Sequence, residues 1–388
     1  MKRRPEFVRY APAPIALLLA AALVLSGPPA LAAAIPDHQP PVPHGNPYTV
    51  FSKNGPYKPG VVYETTPEGD TIVITYPVDP AATVGKPNYV INLLRWFTGS
   101  PTAPIPAGLP TNLPVTLATD AYQNVPASSR GPFPVIMFSH GYGGYPEQSS
   151  FLTDHLATWG FVVVAPDHRS RDLHAVISGT TGQGQDDIAD LTQALAFVRT
   201  MNADPDGLLS HKLDFSRVAS LGHSAGGGAA ITFADNPAVR TYVALAPSPG
   251  TPPKHKPGMI MQGAADKVVN PAGTKKLYAT ITGPKRLILI DKAGHNVFDD
   301  GCTIGAAQGG LVAFVKLLKL PAAFEAIATD GCTAPDIYPT KAWPLIDQAV
   351  TAQLRWALGI DQAPVGLGSG LDHAYPGITA RVSAAGRR

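Results

Sequence analysis

A serine between glycines, in the run Gly222-His223-Ser224-Ala225-Gly226, has the setting of a nucleophile. The pattern G-x-S-x-G is typical of a strained strand-to-helix turn that exposes the serine hydroxyl. An apolar run, Arg217–Leu221, leads into the serine, and the small residues Gly227–Ala230 lead out of it into a helix. We therefore predict Ser224 as the nucleophile, with Gly222, His223 and Gly226 forming its turn. A structural turn serine is the alternative interpretation.

A serine hydroxyl is a weak nucleophile until a base takes its proton. His295 lies in the loop Lys292–Asn296, just after the apolar run Leu287–Ile290, and the glycine beside it favours a loop over a core position. Loops at the carboxyl ends of parallel strands are where such sheets carry their sites. We predict His295 as the base.

The base in turn needs a carboxylate that accepts its other N–H and fixes its tautomer. Asp266 follows the apolar run Met259–Met261 directly, between the serine and the histidine in chain order. That order is typical of hydrolases with this turn. We predict Asp266 as the acid, and Asp291 and Asp299 remain alternatives that crowd His295 in the sequence.

A tetrahedral intermediate requires backbone donors for its oxyanion. The N–H of Ala225, next to the nucleophile, is one candidate donor. The second is predicted in the loop His140–Gly144, where glycines allow close approach to a substrate, and Tyr142 is the favoured position. His140, in the same loop, is interpreted as structural.

Continuous apolar runs alternate with helical patterns along the chain. Such a pattern predicts a parallel sheet that is buried on both faces by helices. The predicted strands are Val61–Tyr63, Thr71–Tyr76, Pro134–Phe138, Phe161–Ala165, Arg217–Leu221, Tyr242–Leu245, Met259–Met261 and Leu287–Ile290. Helices are predicted over Glu147–Trp159, Gln185–Met201 and Trp343–Leu358, and after Ser224.

Four motifs in order carry a family resemblance: Ser-His-Gly-Tyr-Gly-Gly, Gly-His-Ser-Ala-Gly-Gly, Gly-Ala-Ala-Asp and Ala-Gly-His. Over residues 55–360 the chain resembles the α/β-hydrolases related to platelet-activating-factor acetylhydrolase and the bacterial lipase, cutinase and polyester-hydrolase group. The resemblance implies an α/β-hydrolase fold, the triad Ser224, Asp266 and His295, ester substrates and no cofactor. No metal site is expected, because no group of histidines and aspartates in the sequence has metal-ligand spacing. Polyester hydrolases usually carry an aromatic residue where this chain reads Ala246–Gly250.

The composition excludes some classes of protein. Hydrophobic residues make up 45% of the 388 residues and charged residues 15%, which argues against a wholly disordered chain. A net charge of +2 without dense basic runs past the N-terminus argues against a nucleic-acid partner. The expected activity is hydrolysis of short to medium acyl esters of small-molecule, lipid or polymer substrates. A peptidase or amidase, a perhydrolase and a non-catalytic binding protein of the same fold remain alternatives.

The N-terminus predicts export. A basic start, a short apolar stretch and small residues up to Ala32 are typical of a signal peptide, here 1–32. The expected organisation continues with a Pro-rich leader (33–57), a catalytic domain (58–360) with a Pro/Gly-rich insertion (97–133), and a flexible C-terminal tail (361–388). The mature protein is expected to be a secreted monomer without a membrane segment, and the Sec and Tat routes both remain open.

The two cysteines, Cys302 and Cys332, are predicted to form a disulfide, because export leads to an oxidising compartment. Two separate buried thiols are the alternative. The charged run Asp167–Asp172 follows a predicted strand, and it is interpreted as a salt-bridged structural loop.

Overall fold

A computed structural model describes residues 39–100, 115–184, 186–306, 310–317 and 322–386. The predicted signal peptide lies outside the described residues, as does the segment 101–114 of the predicted insertion. Among the helices that are described, none is both long enough and apolar enough to span a bilayer.

Twelve strands are found within the described residues. They are β1 (Lys58–Thr65), β2 (Thr71–Val78), β3 (Val90–Asn92), β4 (Thr116–Ala118), β5 (Tyr122–Gln123), β6 (Phe133–Ser139), β7 (Val162–Pro166), β8 (Leu213–His223), β9 (Val239–Leu245), β10 (Gly258–Gly263), β11 (Lys285–Ile290) and β12 (Ala380–Ala385). All eight strands predicted from apolar runs are among them.

In the described part of the chain, ten of these strands form one sheet in the order β12-β11-β10-β9-β8-β6-β7-β2-β1-β5. Its central strands, from β7 to β11, are parallel. Strand β2 runs antiparallel to both β1 and β7, the edge strand β12 runs antiparallel to β11, and β5 pairs parallel with β1. Strand β8, which leads to Ser224, therefore lies between β6 and β9 in the middle of the sheet, and β3 and β4 form a separate pair.

Helices cover both faces of the sheet. They are α1 (Leu93–Trp96), α2 (Ser150–Thr158), α3 (Leu173–Ser178), α4 (Asp187–Ala203), α5 (Ala225–Phe233), α6 (Pro271–Thr280), α7 (Gly310–Leu317), α8 (Ala322–Thr329) and α9 (Trp343–Ala357). Helices α2 and α9 pack on one face, and α4 and α5 pack on the other.

Alternation along each strand divides the core between these two faces. Ile136 and Phe138 of β6 point into the cluster under α2 and α9, whereas Val135 and Met137 point into the cluster under α4 and α5. All four are fully buried, as expected when successive side chains of a strand point to opposite faces of a covered sheet. The predicted sheet with helices on both faces is confirmed.

The prediction of a flexible tail from residue 361 is wrong. Residues Ala380–Ala385 form β12, which pairs with β11 along its whole length. Before it, Leu367, Leu371 and Ile378 are buried in the core cluster under α2 and α9. The compact unit therefore continues past the predicted end of the domain at residue 360, because burial of these side chains holds the segment in place.

The part of the Pro-rich leader that is described also packs on the fold. Phe51 is fully buried, and its ring makes an edge-to-face contact with Trp159 at a centroid distance of 5.0 Å. Its backbone N–H donates to the Gln348 side chain of α9 over 2.7 Å. Within the predicted insertion, the described residues include the short strands β4 and β5.

A chain that ends at Asp361 is expected to be less stable than the full chain. The truncation removes Leu367, Leu371 and Ile378 from the core, and burial of three aliphatic side chains is worth on the order of 5 kcal/mol. Thermal unfolding followed by circular dichroism measures the effect. A chain that ends at Ala385, after β12, is the control, and equal melting temperatures for the two truncations would contradict the structural role given to the tail.

Candidate active site

Ser224 lies in a sharp turn between β8 and α5. Its backbone angles are φ 58° and ψ −121°, a left-handed region that non-glycine residues seldom adopt. The flanking glycines make the turn possible. A Cβ at Gly222 would clash with the carbonyl oxygen of Gly226, and a Cβ at Gly226 would clash with those of Ser139 and His140. The local geometry matches the strand–turn–helix setting predicted for Ser224.

The structure brings Asp266 and His295 together. The Asp266 carboxylate accepts a hydrogen bond from His295 Nδ1 over 2.9 Å, and both side chains are buried. The same carboxylate accepts the backbone N–H groups of Val268 and Val269 over 2.8 and 2.7 Å and the Gln262 amide over 2.8 Å. These donors hold the carboxylate in one orientation toward the imidazole.

The alternative acids have other partners. Asp291 forms an ion pair with Arg381 at 3.0 Å. Asp299 accepts the Gly301 N–H over 2.8 Å and faces His223 Nδ1 at 3.5 Å. Burial raises the pKa of Asp299 well above its ordinary value. The geometry therefore favours Asp266 over both alternatives as the partner of His295.

His223, the second residue of the serine turn, packs against the predicted base. The rings of His223 and His295 lie 4.7 Å apart between centroids, and His223 is buried. Burial, with His295 alongside, lowers the pKa of His223 well below its ordinary value. A neutral His223 can accept a hydrogen bond from the Gln148 amide, which lies 2.9 Å from its Nδ1.

The predicted oxyanion loop lies beside Ser224. A Cβ at Gly141 would stand 3.3 Å from the Ser224 Cβ, so the loop backbone and the nucleophile are in close contact. Gly141 donates its N–H to the Gln148 side chain over 2.8 Å, and Gly143 donates to the Arg171 carbonyl over 2.7 Å. In the described part of the chain, the N–H groups of Tyr142 and Ala225 have no acceptor among these backbone and side-chain bonds. Ala225 is also the first residue of α5, whose positive end favours a developing negative charge.

Arg171, which the sequence interpretation assigned only to a structural loop, holds the oxyanion loop from behind. Its Nη1 donates to the carbonyl oxygens of His140 and Gly141, the latter over 2.8 Å, and its Nη2 donates to Ser139 Oγ over 3.0 Å. Its Nε pairs with Asp187 of α4 at 2.9 Å. The guanidinium is buried, and its fork of donors fixes the backbone that precedes Tyr142.

His140 belongs to the same network. Its Nε2 lies 3.3 Å from Asp167 and accepts the His168 backbone N–H over 3.0 Å. Burial, with Arg171 alongside, lowers the pKa of His140 to about 3, so the ring is neutral at neutral pH. These contacts agree with the structural interpretation of His140 and of the charged run Asp167–Asp172.

A possible metal-ligating group lies next to this network. His168, Asp187 and Asp190 present ligand atoms within 4.8 Å of one another. Each already has a protein partner: His168 Nδ1 lies 2.8 Å from Asp190, its Nε2 lies 2.8 Å from Ser139 Oγ, and Asp187 binds Arg171. These three side chains therefore belong to a network whose hydrogen bonds are made within the protein.

Asp330 is a residue that the sequence interpretation missed. Its carboxylate accepts the backbone N–H of His295 over 2.8 Å and that of Lys267 over 3.0 Å. It thereby joins the loops that carry the predicted base and the predicted acid. The side chain is 3% exposed, and Lys267 Nζ pairs with it at 3.4 Å. Its position two residues before Cys332 was the signal available in the sequence.

Cys302 and Cys332 form a disulfide, as predicted. The bond closes the segment 302–332, which contains α7 and α8. The end of this segment lies against the histidine loop. There the backbones touch: a Cβ at Gly294 would clash with Gly331, and the Asn296 N–H donates to the Asp330 carbonyl over 3.0 Å. The disulfide therefore anchors the segment that supplies Asp330.

Comparison with known proteins places the chain in a family. A family model described as PET hydrolase-like matches residues 121–317, just over half of the chain. The chain belongs to this family. Ser224, Asp266, His295 and the oxyanion loop all lie within the matched residues. The predicted α/β-hydrolase fold and the resemblance to the bacterial cutinase and polyester-hydrolase group are thereby confirmed.

Among curated proteins, this PET hydrolase-like chain is similar to cutinases est1 and est2 of Thermobifida alba. Each is 30% identical over 122 residues, which is 29% of this chain and 34% of the relative. The chain thus matches about a third of the length of these relatives.

Replacement of Asp330 by asparagine is expected to lower kcat on the order of tenfold with little change in KM. Asparagine keeps the shape but loses the charge that strengthens the bonds to the His295 and Lys267 N–H groups, and tenfold corresponds to about 1.4 kcal/mol. Steady-state kinetics on a soluble ester measures the effect. Asp336→Asn is the matched control, because Asp336 pairs with Lys267 Nζ at 3.4 Å but does not contact His295 N. Equal effects of both substitutions would contradict the role of Asp330.

Replacement of Arg171 by methionine is expected to lower kcat on the order of a hundredfold, the effect of losing one oxyanion donor. Without the guanidinium, the carbonyls of His140 and Gly141 lose the donors that fix the loop before Tyr142. Arg169→Met is the control, because Arg169 is exposed and pairs with Asp70 away from the loop. A variant of Arg171 that folds and retains full kcat would show that the loop needs no such support.

Proposed function

We propose that this protein is an exported serine hydrolase of carboxylic esters. In the proposed reaction, His295 takes the proton of Ser224 as its oxygen attacks the ester carbonyl, and Asp266 orients and stabilises the imidazole. The N–H groups of Tyr142 and Ala225 stabilise the oxyanion. His295 then protonates the departing alcohol, and water releases the acyl group from Ser224 by the same steps in reverse.

One observation carries the proposal: a buried hydrogen bond joins Asp266 to His295, and Ser224 is held in a left-handed turn at the same end of the sheet. The three residues follow the carboxyl ends of the parallel strands β10, β11 and β8. The bond measures 2.9 Å, and His295 is 1% exposed. A left-handed serine is costly, and such strain usually persists at functional sites. Membership of the PET hydrolase-like family supports the same chemistry.

The proposed substrates are esters with short to medium acyl chains. The names of the relatives, cutinases and PET hydrolase-like proteins, support esters as the substrate class. Lipid and polymer esters belong to the same chemical class, and a peptidase or amidase would use the same groups. A panel of p-nitrophenyl esters, peptide anilides and a polyester film separates these substrate classes.

Export forms part of the proposal. The signal-peptide pattern of residues 1–32 supports it, and so does the disulfide between Cys302 and Cys332, since disulfides persist in oxidising compartments. Mass spectrometry of the protein from culture medium would test cleavage after Ala32. An intact N-terminus on cell-associated protein would contradict export.

Replacement of Ser224 by alanine is expected to lower kcat for p-nitrophenyl butyrate by several orders of magnitude, because the covalent route is lost. A fluorophosphonate probe should label the unmodified protein at Ser224 and leave the variant unlabelled, as peptide mapping would show. Ser216→Ala, at an exposed position of β8 far from the turn, is the control. Full esterase activity of the Ser224 variant would overturn the proposed function.

A further inference from the structure

A small cavity adjoins the proposed active site on the side of the histidine loop. It has a volume of about 80 Å³, and it lies between the oxyanion loop, the residues after His295, and helices α7 and α8. Tyr142, a proposed oxyanion donor, and Asn296, which follows His295 in the chain, both line it. The cavity therefore shares one lining residue with the proposed oxyanion site and lies next in sequence to the proposed base.

Three polar side chains at this cavity have protein partners, whereas the hydroxyl of Tyr145, which also lines it, is buried without a hydrogen-bond partner among the described residues. The Gln148 amide bonds the Gly141 N–H and His223, both within 2.9 Å. Asn296 Nδ2 donates to the Ile327 carbonyl over 2.8 Å, and Asp299 accepts from Gly301. A ligand in the cavity would thus meet the unpaired hydroxyl of Tyr145 and otherwise mainly the apolar surfaces of the remaining lining residues.

Phe324 of α8 forms the wall nearest to the oxyanion loop. It is 8% exposed, and a Cβ on Gly143, which has φ +66°, would clash with its ring. The ring therefore packs directly on the residue that follows Tyr142. Leu311 of α7 and Ile327 of α8 line the cavity beside it. These helices belong to the segment closed by the disulfide between Cys302 and Cys332.

The chemistry of the proposed reaction indicates which part of an ester lies here. His295 must donate its proton to the oxygen of the departing alcohol, so the alcohol lies on the side of the histidine loop. The acyl group must then extend in another direction from the carbonyl carbon. A much wider groove, of about 1070 Å³, has Ala225, the other proposed oxyanion donor, in its lining together with Gly228 and Ser248.

We propose that the cavity between Tyr142, Asn296 and Phe324 binds the alcohol part of the ester substrate and limits it to a small group. The assignment rests on the proposed function. Since a cavity of about 150 Å³ binds benzene, which has about six non-hydrogen atoms, a cavity of about 80 Å³ has room for about three. The preferred substrates are therefore esters of alcohols from methanol to propanol, with the acyl chain free to extend along the wide groove.

Two ester series, measured by proton release, test the assignment. The first keeps a butyryl group and varies the alcohol from methyl to propyl to hexyl. The second keeps methanol and varies the acyl chain from acetyl to octanoyl. With the unmodified protein, kcat/KM should fall at least tenfold from the propyl to the hexyl ester and should change much less along the acyl series.

Phe324→Ala enlarges the cavity, and it should raise kcat/KM for the hexyl ester relative to the methyl ester about tenfold, while the acyl series keeps its profile. Leu311→Ala should act in the same direction, and Phe324→Leu provides a milder change if the alanine variant does not fold. Phe215→Ala is the control, because Phe215 lies on β8 against Arg199, in a different part of the fold.

The outcomes separate this proposal from the one on which it rests. An unmodified protein that hydrolyses no ester of either series would overturn the proposed function. An active protein whose Phe324 and Leu311 variants change the acyl profile, or change neither profile, would overturn the alcohol pocket and leave the esterase intact. A change confined to the alcohol series supports the pocket.

Discussion

The left-handed backbone of Ser224 depends on close packing of the surrounding backbone, which is possible because residues 222 and 226 are glycines. Its N–H donates to the Leu245 carbonyl of β9, and its own carbonyl accepts the Ser248 N–H, each over 2.9 Å. The glycines at 222 and 226 let α5 approach the end of β6 closely enough to hold the turn. Strain of this kind costs on the order of 1–3 kcal/mol, and the surrounding bonds must offset it. The position of every other proposed catalytic group is useful only relative to this serine.

Two buried charges then hold the loops around the serine. Arg171 bonds the carbonyls behind the oxyanion loop, while Asp330 bonds the N–H groups of the loops that carry Asp266 and His295. Each ion is compensated, since Arg171 pairs with Asp187 and Asp330 with Lys267. Hydrogen bonds to buried charges are stronger than those between neutral groups, and removal of one partner leaves an uncompensated charge. This arrangement explains why residues outside the triad are expected to affect kcat.

The segment between Cys302 and Cys332 contributes both to the support of the histidine loop and to the wall of the small cavity. Its end supplies Asp330 to the histidine loop, and its helices α7 and α8 provide the wall with Phe324 beside the oxyanion loop. The same disulfide-closed segment therefore supports the proposed base and bounds the space for substrate. A chain without this segment would leave the side of the histidine loop open. We infer that substrate size is determined here more than at the wide groove beside Ala225.

The local sequence was sufficient to predict the central strands and to propose Ser224, Asp266 and His295 as site residues. A buried strand has a continuous apolar run and a tight turn has glycines, so both can be predicted from a few neighbouring residues. The sequence did not reveal β12, because the segment Ala380–Ala385 is short, mostly exposed and without a continuous apolar run, and only pairing with β11 makes it a strand. It did not reveal Asp330 either, which bonds residues 35 and 63 positions away. Such contacts carry no local pattern, since a carboxylate that accepts distant backbone N–H groups has the same neighbours in sequence as one exposed to water; only the folded chain decides between them.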